Sequence, residues 1–179
     1  MKPLLALSRA IDALNEAVGR GACWLVLACI LISAGNAVSR YGFSYSSNGL
    51  LEIQWYLYTL VFLGAAGYTL KHNAHVRIDL IAGRLSPRTQ AWIDIFGHVF
   101  MLLPVSAIML WFGWEAFLES YRIGEMSTDA GGLLRWPIKF VVPAAFALLI
   151  LQGLSETIKK FALLGATPSD GGTGEVAGR

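Results

Sequence analysis

Four stretches of the chain carry no Asp, Glu, Lys or Arg: residues 21–39, 53–70, 95–114 and 140–155. Polar residues and turn formers gather between them. A helix that crosses the hydrocarbon core needs about 20 mostly apolar residues, within a range of about 17–25. The first three runs qualify directly. The fourth is extended by Ile138 and by Lys139, whose long stem can reach back to the interface. In lipid a span must satisfy its own backbone groups, so these runs predict helices rather than strands. The expected spans are residues 19–40, 50–71, 92–118 and 137–158. Pro104 and Pro143 fall inside the third and fourth, where each predicts a local kink.

The flanks add shorter elements. Leu4, Leu7, Ile11, Leu14 and Val18 recur at steps of three and four, with Ser8, Arg9, Asp12, Asn15 and Glu16 between them. That spacing predicts an amphipathic interfacial helix at the N-terminus, lying in the headgroup plane or packed on a partner. The mixed charge of these residues is unlike a short basic leader, so cleavage after Ala37 is not expected. Ser86-Pro87 predicts a helix start. Gly131-Gly132 predicts a turn, and Trp136-Pro137 the start of the fourth span. Residues 71–80 alternate polar and apolar side chains and suggest an amphipathic cytoplasmic connection. The Gly-, Ser- and Thr-rich tail, residues 164–179, is expected to be disordered. The fold class is therefore an all-α integral membrane protein, with one four-helix membrane domain over residues 1–163.

Composition agrees. Of the 179 residues 55% are hydrophobic and only 15% charged, with a mean hydropathy of +0.56. Soluble domains run near 45–50% apolar and about 25% charged. No basic stripe suits a phosphate backbone, so nucleic acid is not an expected partner. Cys23 and Cys29 share one apolar run and predict neither a disulfide framework nor a zinc site.

Charge distribution orients the spans. Lys2, Arg9, Arg20, Lys71, Arg77, Arg84, Arg88, Lys159, Lys160 and Arg179 fall on one side, and Arg40, Arg122, Arg135 and Lys139 on the other. The richer side is expected to be cytoplasmic, together with both termini. Residues 115–139 are then expected to face the periplasm.

No nucleotide loop, metal-spaced ligand pair or nucleophile elbow is present, so enzymatic activity and cofactors are not expected. The candidate chemistry is polar groups near membrane depth. Glu52 opens the second span, where a carboxylate contacts a partner, couples to an ion or simply favours the helix start. His98 lies inside the third span. His72 and His75 lie outside the core and cannot complete a haem ligand pair with it. Lys71 to Leu80, including His72, His75, Arg77 and Asp79, reads as a solvated connection or a docking segment. Gly64-Ala65-Ala66-Gly67 permits close helix approach, to a partner or to another helix of this chain.

Four pieces in order carry a family resemblance: Asn36-Ala37-Val38-Ser39-Arg40-Tyr41 leaving span one; Glu52 and Trp55 opening span two; His75-Val76-Arg77-Ile78-Asp79-Leu80 after it; and Gly131-Gly132-Leu133-Leu134-Arg135-Trp136-Pro137-Ile138-Lys139 before span four. The chain resembles the small membrane subunit of a tripartite ATP-independent periplasmic (TRAP) transporter over roughly residues 13–160. Leu134 stands where a proline is expected. The resemblance implies a bacterial inner-membrane scaffold beside a large transport subunit. In such systems a periplasmic binding protein captures an organic acid, and a sodium gradient drives import. Arg40, Glu52, Trp55, His72, His75, Arg77, Asp79, Arg135, Trp136 and Lys139 become candidate interface residues with the large subunit, the binding protein or lipid. A homodimeric proton-coupled exporter is the alternative.

Overall fold

A computed structural model describes residues 2–45, 47–72 and 85–165. The connecting segment that carries His75, Arg77 and Asp79, and the tail from residue 166, lie outside the described residues. Helices α1 (Lys2–Gly42), α2 (Asn48–Gly64), α3 (Ala66–Lys71), α4 (Pro87–Gly97), α5 (Leu103–Arg122) and α6 (Trp136–Gly165) account for the four apolar runs. Four continuous helical segments are long and apolar enough to cross a membrane: Pro3–Gly42, Asn48–Lys71, Arg88–Arg122 and Trp136–Gly165. The all-α membrane fold is as the sequence predicts. Among the described residues the sole β pairing is an isolated bridge between Met126 and Leu134.

Local chemistry sets the breaks. Ser86 caps α4, its hydroxyl accepting the Thr89 N–H at 3.2 Å, and Pro87 opens the helix. Between α4 and α5 residues His98–Leu102 form a π-helical turn directly ahead of Pro104. Proline offers no N–H and crowds the preceding turn, so a widened turn relieves both demands. The helix α6 runs unbroken through the buried Pro143. The α2–α3 step is a single residue, Ala65. Beyond α1, Ser44 takes the left-handed conformation (φ 51°) that closes a helix end.

Helix α6 is the hub. It touches α1, α2, α3, α4, α5 and the π turn, and among the described residues it is the spanning helix against which α4 and α5 chiefly pack. Spans one and two therefore form a triangle with span four, and span three lies along span four's far side. Lipid gives little hydrophobic drive between helices, so close approach and polar contacts must hold such a bundle. A Cβ placed on Gly67 would fall 2.0 Å from Asn15 Oδ1, and one on Gly19 2.4 Å from the Tyr68 ring. On the other side Gly153 receives Leu102, and Gly113 receives Val142 and Pro143. The glycines of the second span thus face α1 of the same chain at Gly64 and Gly67.

The molecule is polar inside and apolar outside. Asn15, Gln152 and Ser155 have no exposed surface, and Ser8, Ser106 and Ser120 almost none. Trp24, Trp55, Phe62, Phe100, Met101 and Trp111 are each about two-thirds exposed or more. Contiguous apolar exterior on this scale belongs to a chain solvated by lipid or by partner helices.

No break separates the N-terminal amphipathic residues from the first span. Helix α1 is 41 residues long, about 60 Å at 1.5 Å per residue. That is about twice the hydrocarbon thickness. Its polar face finds a partner inside the chain. Ser8 and Ser155 share a hydrogen bond of 2.6 Å, and Asp12 accepts from Gln152, Ser155 and Lys159 at 2.8–3.0 Å. Leu4, Leu7 and Leu14 are left on the outside.

Candidate functional site

The loop between α5 and α6, residues 123–135, folds back over the first turns of α2. Positive φ at Gly124 (59°) and Gly131 (75°) supplies two bends that side-chain-bearing residues rarely adopt. Between the bends Ser127 N–H donates to Leu133 C=O at 2.9 Å, beside the Met126–Leu134 bridge. Exposure alternates here as in a strand, with Glu125 and Ser127 turned in and Met126 and Thr128 out.

Glu52 is the anchor. It is buried, and its carboxylate accepts the Leu133 N–H at 2.7 Å and the Ser127 hydroxyl. That hydroxyl also accepts the Asp129 N–H. One turn before Glu52, Asn48 Nδ2 donates to Ala130 C=O at 3.1 Å; one turn after it, the Tyr56 hydroxyl donates to Leu134 C=O at 3.0 Å. Gly132 passes so close that a Cβ would lie 2.4 Å from Ser127 Cβ and 2.9 Å from Glu52 Oε1. A buried carboxylate is tolerable when donors meet both oxygens, as they do here.

Charged residues flank this clasp. Lys139 pairs with Glu125, and the Arg135 N–H donates to Glu125 C=O at 2.9 Å. The Arg135 guanidinium is near enough for its charge to act on both Glu52 and Glu125. The Lys139 hydrogen bond holds the Glu125 carboxyl below the usual carboxylate range. Trp136 stands edge-on to Tyr121, with ring centroids 5.5 Å apart.

The structure thus gathers Glu52, Arg135, Trp136 and Lys139 at one end of the bundle. Arg40 lies at the α1 terminus of that end, exposed. Trp55 projects outward from α2 and is 72% exposed. His72 belongs to the opposite end, about 36 Å along the second span by helical rise, where it meets Glu16 at 3.0 Å beside Lys71 at 2.7 Å. Lys160 and Asp94 pair at that end too, at 2.8 Å. Asn48, Tyr56 and Ser127 join the site only through the fold. For Asn48 and Tyr56 the sequence signal is their four-residue spacing from Glu52, which sets all three on one helix face, and Ser127 carries no such signal.

Among the described residues no His, Cys, Asp or Glu group could hold a metal ion. Among the described residues, two of the grooves between the spanning helices are walled by apolar side chains. One of about 410 Å³ runs among Val18, Leu25, Leu60, Phe140 and Leu148. The other, of about 500 Å³, runs among Phe62, Ala65, Thr69, Phe146 and Leu149. Both walls are apolar, with Thr69 spending its hydroxyl on Ala65 C=O. Neither groove offers a charged solute a partner.

No curated protein sequence and no solved structure matches the chain. A family model does: "Tripartite ATP-independent periplasmic transporters, DctQ component" matches residues 12–163. That range takes in Asp12 on α1, the Glu52 clasp, all four spans and the Lys159 contact on α6. With most of the sequence and the greater part of every helix inside the match, the chain belongs to the DctQ family, the small membrane component of TRAP transporters.

Proposed function

We propose that this chain is the stationary small subunit of a sodium-driven importer of an organic acid, packed beside a large transport subunit. One observation carries the reading: the two grooves among Leu25, Leu60 and Phe140 and among Phe62, Phe146 and Leu149 have apolar walls, and the charged clefts around Arg9, Asp12, Glu16 and Lys71 lie only at the end of the bundle that holds His72. A carboxylate-bearing substrate crossing here would lose its hydration with no partner in exchange. The substrate path then belongs to another chain, and this one supports it. Residues 1–163 act as one membrane unit of the bacterial inner membrane. The basic end, with both termini, faces the cytoplasm by the positive-inside bias. The clasped loop then faces the periplasm and contributes to docking of the soluble binding protein. The exposed Trp55 and Arg40 and the paired Arg135 and Lys139 are the candidate contacts at that end. His72, with His75, Arg77 and Asp79 of the connection, are the candidates at the other.

The homodimeric exporter is less well supported. A proton carrier needs an ionisable group that is free at membrane depth, and both Glu52 oxygens are engaged by the loop.

Reconstitution tests the reading. Proteoliposomes holding this chain alone should show no uptake. Adding the large subunit, the loaded binding protein and an inward sodium gradient should restore it. Uptake by the large subunit and binding protein without this chain, or proton-linked export by this chain alone, would overturn it.

A further inference from the structure

Three α2 side chains one helical turn apart grip the loop between α5 and α6. Asn48 takes Ala130 C=O, Glu52 takes Leu133 N–H and the Ser127 hydroxyl, and Tyr56 takes Leu134 C=O. Every contact but one is made to main chain. The exception, Ser127, passes the grip on to Asp129 N–H. The outward side chains Met126, Thr128 and Asp129 take no part and stand exposed. A loop shaped through its backbone keeps that shape whatever side chains it displays.

We propose that Asn48, Glu52 and Tyr56 are positioning residues that hold this loop in the form the soluble binding protein docks against. The proposal rests on the docking role above. Ordering a loose loop during association weakens binding, because the entropy of fixing its backbone is lost at that moment. A loop fixed beforehand avoids the loss. The ladder therefore acts on how readily the soluble partner docks, and leaves the turnover of the assembled transporter alone.

The test uses the full chain assembled with its large subunit. Amide hydrogen exchange at Leu133 reads the grip directly. Glu52→Ala should speed it about a hundredfold, and Ser127→Ala less. Glu52→Gln, which keeps an acceptor for Leu133 N–H, should stay within about tenfold of the parent. In proteoliposomes Glu52→Ala should raise the binding-protein concentration for half-maximal uptake about tenfold, with maximal rate unchanged and Glu52→Gln restoring most of the loss. Unchanged Leu133 exchange in both Glu52→Ala and Ser127→Ala would overturn the ladder. Faster exchange with unaltered half-saturation, or a fall in maximal rate alone, would overturn its part in docking. Asp129→Arg separates the underlying reading. If neither it nor Met126→Asp alters half-saturation while Glu52→Ala still speeds exchange, the docking role falls and the grip stands.

Discussion

Leu133 donates its main-chain N–H to the Glu52 carboxylate at 2.7 Å across 81 positions of sequence. Gly132, the residue before it, has no room for a side chain between Ser127 and Glu52. Gly132→Ala must push the loop off α2 or displace the carboxylate. Overpacking of this kind costs about 1–3 kcal/mol. The variant should melt earlier in detergent by intrinsic fluorescence, and Leu133 should exchange faster. A parental melting curve would show that the loop yields without opening.

The same logic at the α1–α3 crossing gives a paired prediction. Gly67→Ala sets a methyl group 2.0 Å from Asn15 Oδ1, which is fully buried. Either the buried Asn15 amide turns away and gives up its bond to Ile11 C=O or the helices separate, for a loss of about 2 kcal/mol. Gly21→Ala, on the same bundle with nothing within 4 Å, should be neutral or stabilise by up to about 1 kcal/mol from helix propensity. Thermal unfolding of the two variants side by side in one detergent checks the contrast. Equal behaviour would mean that close approach at Gly67 does not hold the bundle.

The spans were legible because lipid imposes one rule on every residue of a run. A charge-free stretch of about 20 residues has one stable solution. Ser86 and Gly131 were legible because caps and positive-φ turns are decided within four residues. The occupant of α1's polar face was not. Ser8 and Asp12 meet Ser155 more than 140 positions away, and periodicity reports that a face exists, never what covers it. Nor could the sequence assign Glu52. A carboxylate at a helix start looks the same whether it favours the dipole, meets a partner or holds a loop. What decides among these is Leu133 N–H, a group every residue but proline carries. The separation of His72 from Glu52 follows from the length of the second span, and was readable in principle from residue count alone.

Asp12 makes the reverse-side contact testable. It accepts from Gln152 Nε2 and Ser155 Oγ and pairs with Lys159 at 3.0 Å. Gln152 and Ser155 have no access to solvent; Asp12→Ala leaves one buried Gln152 N–H without its acceptor, while Glu156 keeps the other and Ser155 turns to Ser8. The expected loss is about 2 kcal/mol, with the part-exposed Lys159 adding little. Asp12→Asn keeps one acceptor oxygen and should lose less than half as much. Thermal unfolding of both variants, with Leu4→Ala as an exposed-face control, gives the order. Indifference to Asp12→Ala would mean that the N-terminal half of α1 is not held through α6.

The loop's ion pair predicts a pH dependence with a definite sign. Lys139 donates to Glu125 and holds its carboxyl below the usual range, helped by the Arg135 charge. The folded protein therefore binds this proton less readily than the unfolded chain. Its contribution to stability is complete above the ordinary carboxylate pKa of about 4.3. It is lost as pH falls from there through the lower folded value. Parent and Glu125→Gln should differ in melting temperature near pH 7, with the parent higher, and the gap should begin to close as pH falls below about 4. High salt should shrink the neutral-pH gap, since Lys139 is partly exposed. A gap that widened on acidification would assign the reverse sign to Glu125 and remove the ion pair from the forces that hold the loop.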